Sequence, residues 1–361
     1  MRRTTFIFAV VIILIGCQQR HSSNDCITFI DSMKIILDNS EVQVTLIDLA
    51  QEQKIRPYTI IYGNHLIVLN KADSFYSFTT DCFERDTKFE NKLNSQRFKK
   101  ALVITDTLYG IDSVNQAFKF DKSNHNWIKR SEQLPLFNSE PICETDKYIC
   151  YSICQGEYGG LVFFYNKITQ KITFAPATCA VSLMKFKDGF YIISNLAHMQ
   201  GSSDIVKIEN PDLLYVLPDS LNMRNKWDFI INYYPILCDK TISKKQITPV
   251  FEDWEKLISS GFKIKGKNYF LTKMMYKEEW RTYLSRFEND SLRVINTSDT
   301  IFADLPASHG EITRKTNNQT VIDYTLFAED SKDWIESEER NLLLTTFILT
   351  DSTLIRINWT N

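Results

Sequence analysis

The chain contains no GxSxG, no HExxH, no GxxxxGK(S/T) and no CxxC among its 361 residues. Those absences remove the nucleophile elbow, the helical zinc-protease pair, the phosphate-cradling loop and the common dithiol pair. Histidine is scarce at 5 residues. His21 lies in a polar stretch, His65 and His125 fall at turns, and His198 and His309 fall in loops. No spacing supplies the three or four converging ligands that zinc needs, so neither a metal nor a cofactor is implied. An excess of positive charge is also missing, with Lys+Arg at 42 against Asp+Glu at 44. That excludes a general nucleic-acid binder, which carries a basic footprint. Glycine is low at 11, whereas Phe (24) and Tyr (16) are abundant. Aromatic and β-branched segments favour strands. The apolar run Phe6 to Ile15 is too short to cross a bilayer, which takes about 20 apolar residues.

That run has the length of a signal-peptide core, and Arg2 and Arg3 precede it as a positive region. It ends in Leu14-Ile15-Gly16-Cys17, which resembles the lipobox of bacterial lipoproteins. The resemblance implies that residues 1–16 are removed and that Cys17 carries the lipid. Residues 17–25 follow as a polar tether. Surface-exposed lipoproteins of the Bacteroidota often carry an acidic cluster at this point. Here only Asp25 is present, which favours an envelope position on the outer membrane facing the periplasm. Loss of Arg2 and Arg3 leaves 40 basic against 44 acidic residues, a mature charge near −4.

Seven cysteines remain after Cys17: Cys26, Cys82, Cys143, Cys150, Cys154, Cys179 and Cys238. An odd number cannot pair completely within one chain. Cys150 and Cys154 lie in a strand-like KYICYSIC, where four residues span about 13 Å, too far for one disulfide. Buried free thiols are expected, and one disulfide is compatible with an oxidising compartment.

The middle of the chain repeats. Short apolar strands are joined by tight polar turns near Asn64, Asp106, Asp146, Asp188, Gly266 and Asn317. The first three intervals are 42, 40 and 42 residues and the fourth is 78. Four strands in about 40–45 residues is the size of a propeller blade. A four-stranded twisted sheet has two faces to bury, and radial stacking buries both. A sandwich or two small β-domains explain repeated hairpins but not the steady period. The segment FKFDKSNHNW, with Phe120, Asp121 and Trp127, resembles the end of a kelch blade. The double glycine of kelch blades is absent from that unit, so the resemblance implies propeller-like geometry and not kelch membership. Residues 26–361 are therefore expected to form an all-β propeller of six four-stranded blades, with seven as the alternative.

The wide fourth interval is expected to hold a partly helical insertion at 221–260. Thr248 suits an N-cap, Pro249 the first helical position and Gly261 the exit. Phe251, Trp254, Leu257 and Ile258 recur at helical spacing. Asp followed by Ser or Thr and an apolar residue or Thr recurs along the chain, as in Asp106-Thr107-Leu108 and Asp290-Ser291-Leu292. This resembles the O-glycosylation acceptor of exported Bacteroidota proteins, and it also matches ordinary turn chemistry.

The expected function is that of a non-enzymatic binding or scaffolding propeller for an envelope protein or glycan. The alternative is a glycosidase-type hydrolase, whose paired carboxylates cannot be singled out among 44 acidic residues. In each blade the second loop emerges at the same end as the links between blades. QGEYGG, LAHMQGSSD, KMMYKEEWRT and AEDSKDWIESEERN are longer than the opposite turns. Long loops without core patterning gather binding residues. The candidates are Glu157, Tyr158, His198, Met199, Tyr276, Trp280 and Trp334, whose aromatic members suit sugar stacking or a protein hot spot.

Overall fold

The structure is a computed structural model that describes residues 27–37, 40–50, 55, 58–130, 141–154, 156, 159–187, 189–196, 201–217, 246–276, 279–288, 291–295, 301, 310–316, 319–326 and 342–360. A long hairpin, β1 (Ile27–Leu37) and β2 (Ser40–Ala50), comes first. A three-stranded sheet follows: β3 (Ile60–Tyr62), β4 (His65–Leu69) and β5 (Phe75–Thr79). The α1 helix (Thr87–Leu93) is capped by Asp86, whose Oδ1 accepts the Phe89 N–H at 2.9 Å. Next is a four-stranded sheet of β6 (Lys100–Ile104), β7 (Thr107–Ile111), β8 (Ala117–Asp121) and β9 (Asn126–Lys129).

The strands β10 (Pro141–Glu144), β11 (Tyr148–Cys154), β12 (Gly160–Asn166) and β13 (Ile172–Pro176) pair in order. A second four-stranded sheet contains β14 (Ala180–Phe186), β15 (Gly189–Leu196) and β16 (Ser202–Ile208). Between them in sequence, β17 (Tyr215–Val216) returns to pair with β13, and β18 (Ile247–Asp253) completes that second sheet. A third comprises β19 (Lys256–Ile264), β20 (Lys267–Tyr276), β21 (Glu279–Glu288) and β22 (Ser291–Val294). Last are β23 (Gly310–Lys315), β24 (Thr320–Leu326), β25 (Leu342–Leu349) and β26 (Thr353–Thr360).

Each predicted first turn is found between the first two strands of a set. Two of these turns, Thr105-Asp106 and Lys265-Gly266, hold both residues at positive φ, the twist that two-residue hairpins require. In three sets the last strand is the least buried. β19 is buried along most of its length, whereas β9, β18 and β22 are mostly exposed or half-exposed.

The alternation of side chains decides the packing. On β12, Phe163 joins a core shared with the β3–β5 and β6–β9 sheets, while Phe164 faces Leu183, Phe190 and Ile192. On β15, Ile192 belongs to that second core and Ile193 to one shared with Ile258 and Phe270. On β20, Phe270 turns to that core, and Tyr269 and Leu271 turn to one with Tyr324 and Phe347. Ile348, Ile357 and Trp359 then meet Leu66, Val68 and Phe78 of the first sheet. Each sheet is therefore sandwiched between its neighbours, and the last core returns to the first sheet. Burying each such Phe, Leu or Ile contributes roughly 1.5–3 kcal/mol. This is an all-β, propeller-like arrangement.

The expected blade count is not what forms. Among the described residues four separate blade-sized sheets are present, three of four strands and one of three, rather than six or seven. The remaining strands make one eleven-stranded sheet, β1-β2-β26-β25-β24-β23-β10-β11-β12-β13-β17. The cause is a single parallel bridge, Cys143 to Lys315, that joins β10 to β23, together with a parallel pairing of β2 on β26.

The helical insertion is also corrected over its described part. Residues 247–253 and 256–264 are strands, and the upstream part of 221–260 lies outside the described residues. Pro249 sits on β18, the edge of its sheet, the strand position to which proline is suited. Trp254 is exposed in the turn, closed by Asp253 Oδ1 accepting from the Glu255 and Lys256 N–H groups at 2.8 and 3.0 Å. Gly261 does not end a helix. A Cβ there would stand 2.5 Å from Ile193 Cδ1 and 2.6 Å from Met184 Sδ, so glycine permits the sheets to approach.

A lysine-lined cleft at the short-turn end

Three of the short first turns, after β14, β19 and β23, converge with the β25–β26 turn around a cavity of about 500 Å³. Asp351 ties the β25–β26 turn to the β19–β20 turn. Its backbone O accepts the Lys265 N–H at 2.8 Å, and its Oδ1 accepts the Gly266 N–H at 3.1 Å. Lys185, Lys187, Lys263 and Lys315 supply the cationic lining, and Asp351 is the one carboxylate among the described lining residues. Asn268, Thr316, Gln319 and Thr350 add neutral polar groups over an apolar floor of Met184 and Leu349.

Lys315 differs from the other three. It is the last residue of β23, where the period of two sends Thr313 and Lys315 to one face and Arg314 to the other. The parallel bridge to Cys143 brings β10 alongside it. Lys315 is 9% exposed, and its Nζ is buried without a hydrogen-bond partner. Burial lowers its pKa to about 7, with the Cys143 thiol acting in the opposite direction. Cys143 and Cys150 face each other across β10 and β11 as buried free thiols. The hydrogen bond from Cys150 and the nearby Lys315 amine lower the Cys143 thiol's pKa, while burial raises that of Cys150. A disulfide joins Cys154 to Cys179.

On the opposite face of β23, Arg314 pairs with the fully buried Asp323. Asp323 also accepts the Thr59 N–H and the Thr346 hydroxyl, each at 2.7 Å. Arg314 donates to the Thr59 carbonyl at 2.7 Å and stacks over Tyr58, and Trp359 Nε1 donates to Thr346 Oγ1 at 2.9 Å. This cluster fastens the chain entering β3 to the last strands.

Cys17, Glu157, Tyr158, His198, Met199 and Trp334 lie outside the described residues. Tyr276 and Trp280 are not in a long loop. They belong to β20 and β21, in the register Tyr276 to Glu279 and Met275 to Trp280. Strand alternation continues through that segment, so its polar residues extended the hairpin instead of opening a loop. The cleft lysines were not singled out from the sequence. Their signal was positional: lysines recur just before the turns at Asp188, Gly266 and Asn317, in KFKDG, KIKG and RKTN.

No family model matches the chain, and no curated protein sequence matches it. Among solved structures it is similar to the β-propeller domain of the Trilobed protease from Pyrococcus furiosus, at 10% identity over 85% of this chain and 87% of that one, with a TM-score of 0.39. It is also similar to BamB from Moraxella catarrhalis, at 9% identity over 81% and 78% with a TM-score of 0.31. The N-terminal domain of Nup159 matches at 9% identity over 74% and 71%, with a TM-score of 0.28. At these scores the propeller-like arrangement stands on the chain's own sheets and shared cores.

Proposed function

We propose that the protein is a lipid-anchored envelope protein of the outer membrane, facing the periplasm, that works as a non-enzymatic binding or scaffolding module. The observation that carries the binding reading is the cleft: about 500 Å³, bounded by four lysines and one carboxylate, at the meeting of four turns. Cavities of this size suit a small ligand or a protruding group of a larger partner. The Cys154–Cys179 disulfide supports a compartment outside the reducing cytosol. The partner is an envelope protein or glycan that presents negative charge to the lysines.

Two measurements test this. Cys17→Ala should move the protein to the soluble fraction and abolish palmitate labelling. An unlabelled wild type, with the variant still in the membrane, refutes the anchor. For the cleft, Asn268→Trp should fill the cavity from an exposed position on β20. Retention on a glycan array or by envelope extract should fall at least tenfold while the melting temperature holds. Unchanged retention in Asn268→Trp, with losses in Tyr158→Ala and Trp334→Ala, would move the binding face to the long-loop end.

A further inference from the structure

The Lys315 amine is incomplete as it stands. An ammonium carries three donors and no acceptor, and buried polar groups are almost always hydrogen-bonded. Here the Nζ is enclosed, has no partner, and belongs to a residue that lines an open cavity. Around it Lys185, Lys187 and Lys263 add positive charge that only Asp351 opposes among the described lining residues. Asp351 is already held by the Gly266 N–H. An anion entering the cavity is a source of the missing acceptor.

The rest of the lining narrows the ligand. Asn268, Thr316, Gln319 and Thr350 present amides and hydroxyls that match several hydroxyl groups. The aromatic ring of the lining, Phe186, is already stacked on Tyr191 with centroids 4.6 Å apart and lies beneath Lys207. It offers poor stacking for a nucleobase. A non-aromatic, hydroxyl-rich anion satisfies both sets of groups.

We propose that the cleft binds an acidic saccharide whose carboxylate or phosphate group is seated on the Lys315 amine. This inference rests on the cleft being a binding site. The bound anion would accept from the Nζ, complete the buried ammonium, and leave the sugar hydroxyls to the threonine, asparagine and glutamine side chains. Both acidic groups provide the required acceptor, and a carboxylated and a phosphorylated sugar tell the two sources apart.

Calorimetric titration of the full chain in detergent, with glucuronate, glucose 6-phosphate, glucose and inorganic phosphate, tests it. At least one acidic sugar should bind tenfold or more tightly than both glucose and inorganic phosphate. Lys315→Met and Lys315→Gln should each lose that preference, and Lys171→Met, an exposed lysine away from the cleft, should keep it. Thermal melts of both Lys315 variants confirm that they are folded. If glucose binds as tightly as the acidic sugars and the Lys315 variants match the wild type, the inference falls while the cleft remains a binding site. Inorganic phosphate binding as tightly as glucose 6-phosphate overturns the saccharide assignment. If none of the four probes binds and Asn268→Trp leaves partner retention intact, the inference and the cleft reading fall together.

Discussion

Lys315→Met should make the ligand-free protein more stable, with the largest gain at and below neutral pH. An ordinary lysine titrates near 10.4, whereas Lys315 is lowered to about 7 by burial. The unfolded chain therefore holds a proton that the folded chain sheds between those two values. Stability rises with pH wherever the unfolded state binds more protons. The wild type thus carries its full penalty below pH 7 and loses it progressively towards pH 10. At about 1.36 kcal/mol per pKa unit, removing the amine is worth roughly 3–5 kcal/mol at pH 6–7. The charged and titratable groups around it are Cys143 and Glu144 on β10, Cys150 on β11, Arg314 on β23, Lys185 and Lys187 at the end of β14, Lys263 on β19 and Asp351 in the β25–β26 turn. Subtracting the wild-type stability from that of the variant at each pH isolates the lysine from these neighbours. Melts at pH 6, 8 and 10 should show the gap closing as pH rises. A variant less stable than the wild type by the same amount at all three values would mean that the amine is satisfied in the folded protein.

The second large effect is expected in the opposite direction. Asp323→Ala should destabilise the protein by about 3–5 kcal/mol, the cost of leaving one partner of a buried ion pair uncompensated. Asp323 is fully buried against Arg314, the Thr59 N–H and the Thr346 hydroxyl. Asp323→Asn retains an acceptor but not the charge, so its loss should be smaller. Urea unfolding measures both. A loss below about 1 kcal/mol for Asp323→Ala would show that Arg314 is paired well enough without it. The effect should be large because Thr59 leads into the first sheet and Asp323 lies on β24 of the last. The substitution therefore loosens the join between the two ends of the arrangement.

Much of the hairpin framework was legible locally. The turns at Asn64, Asp106, Asp146, Asp188, Gly266 and Asn317 were fixed by polar or glycine residues between alternating apolar runs. The number of separate sheets was not. It depends on whether β10 and β23 approach closely enough to share the Cys143–Lys315 bridge, and nothing near either residue encodes that distance. The segment 247–264 failed for a related reason. Phe251, Trp254, Leu257 and Ile258 satisfy a helical spacing, but β18 gains its ladder from β16 and β19 from β20. A partner strand supplies hydrogen bonds that a short-range pattern does not weigh.

By itself the sequence determined the all-β character, the places where the chain reverses, and the alternation that gives each sheet two apolar faces. These are consequences of neighbouring residues and turn chemistry. Tertiary structure alone decided the merged eleven-stranded sheet and the burial of Lys315. It also brought the lysines before Asp188, Gly266 and Asn317 around one cavity. Each lysine reads as an ordinary solvated charge in its own segment. Only the approach of sheets that are distant in sequence removes water from one of them and leaves its amine buried without a partner beside the cavity.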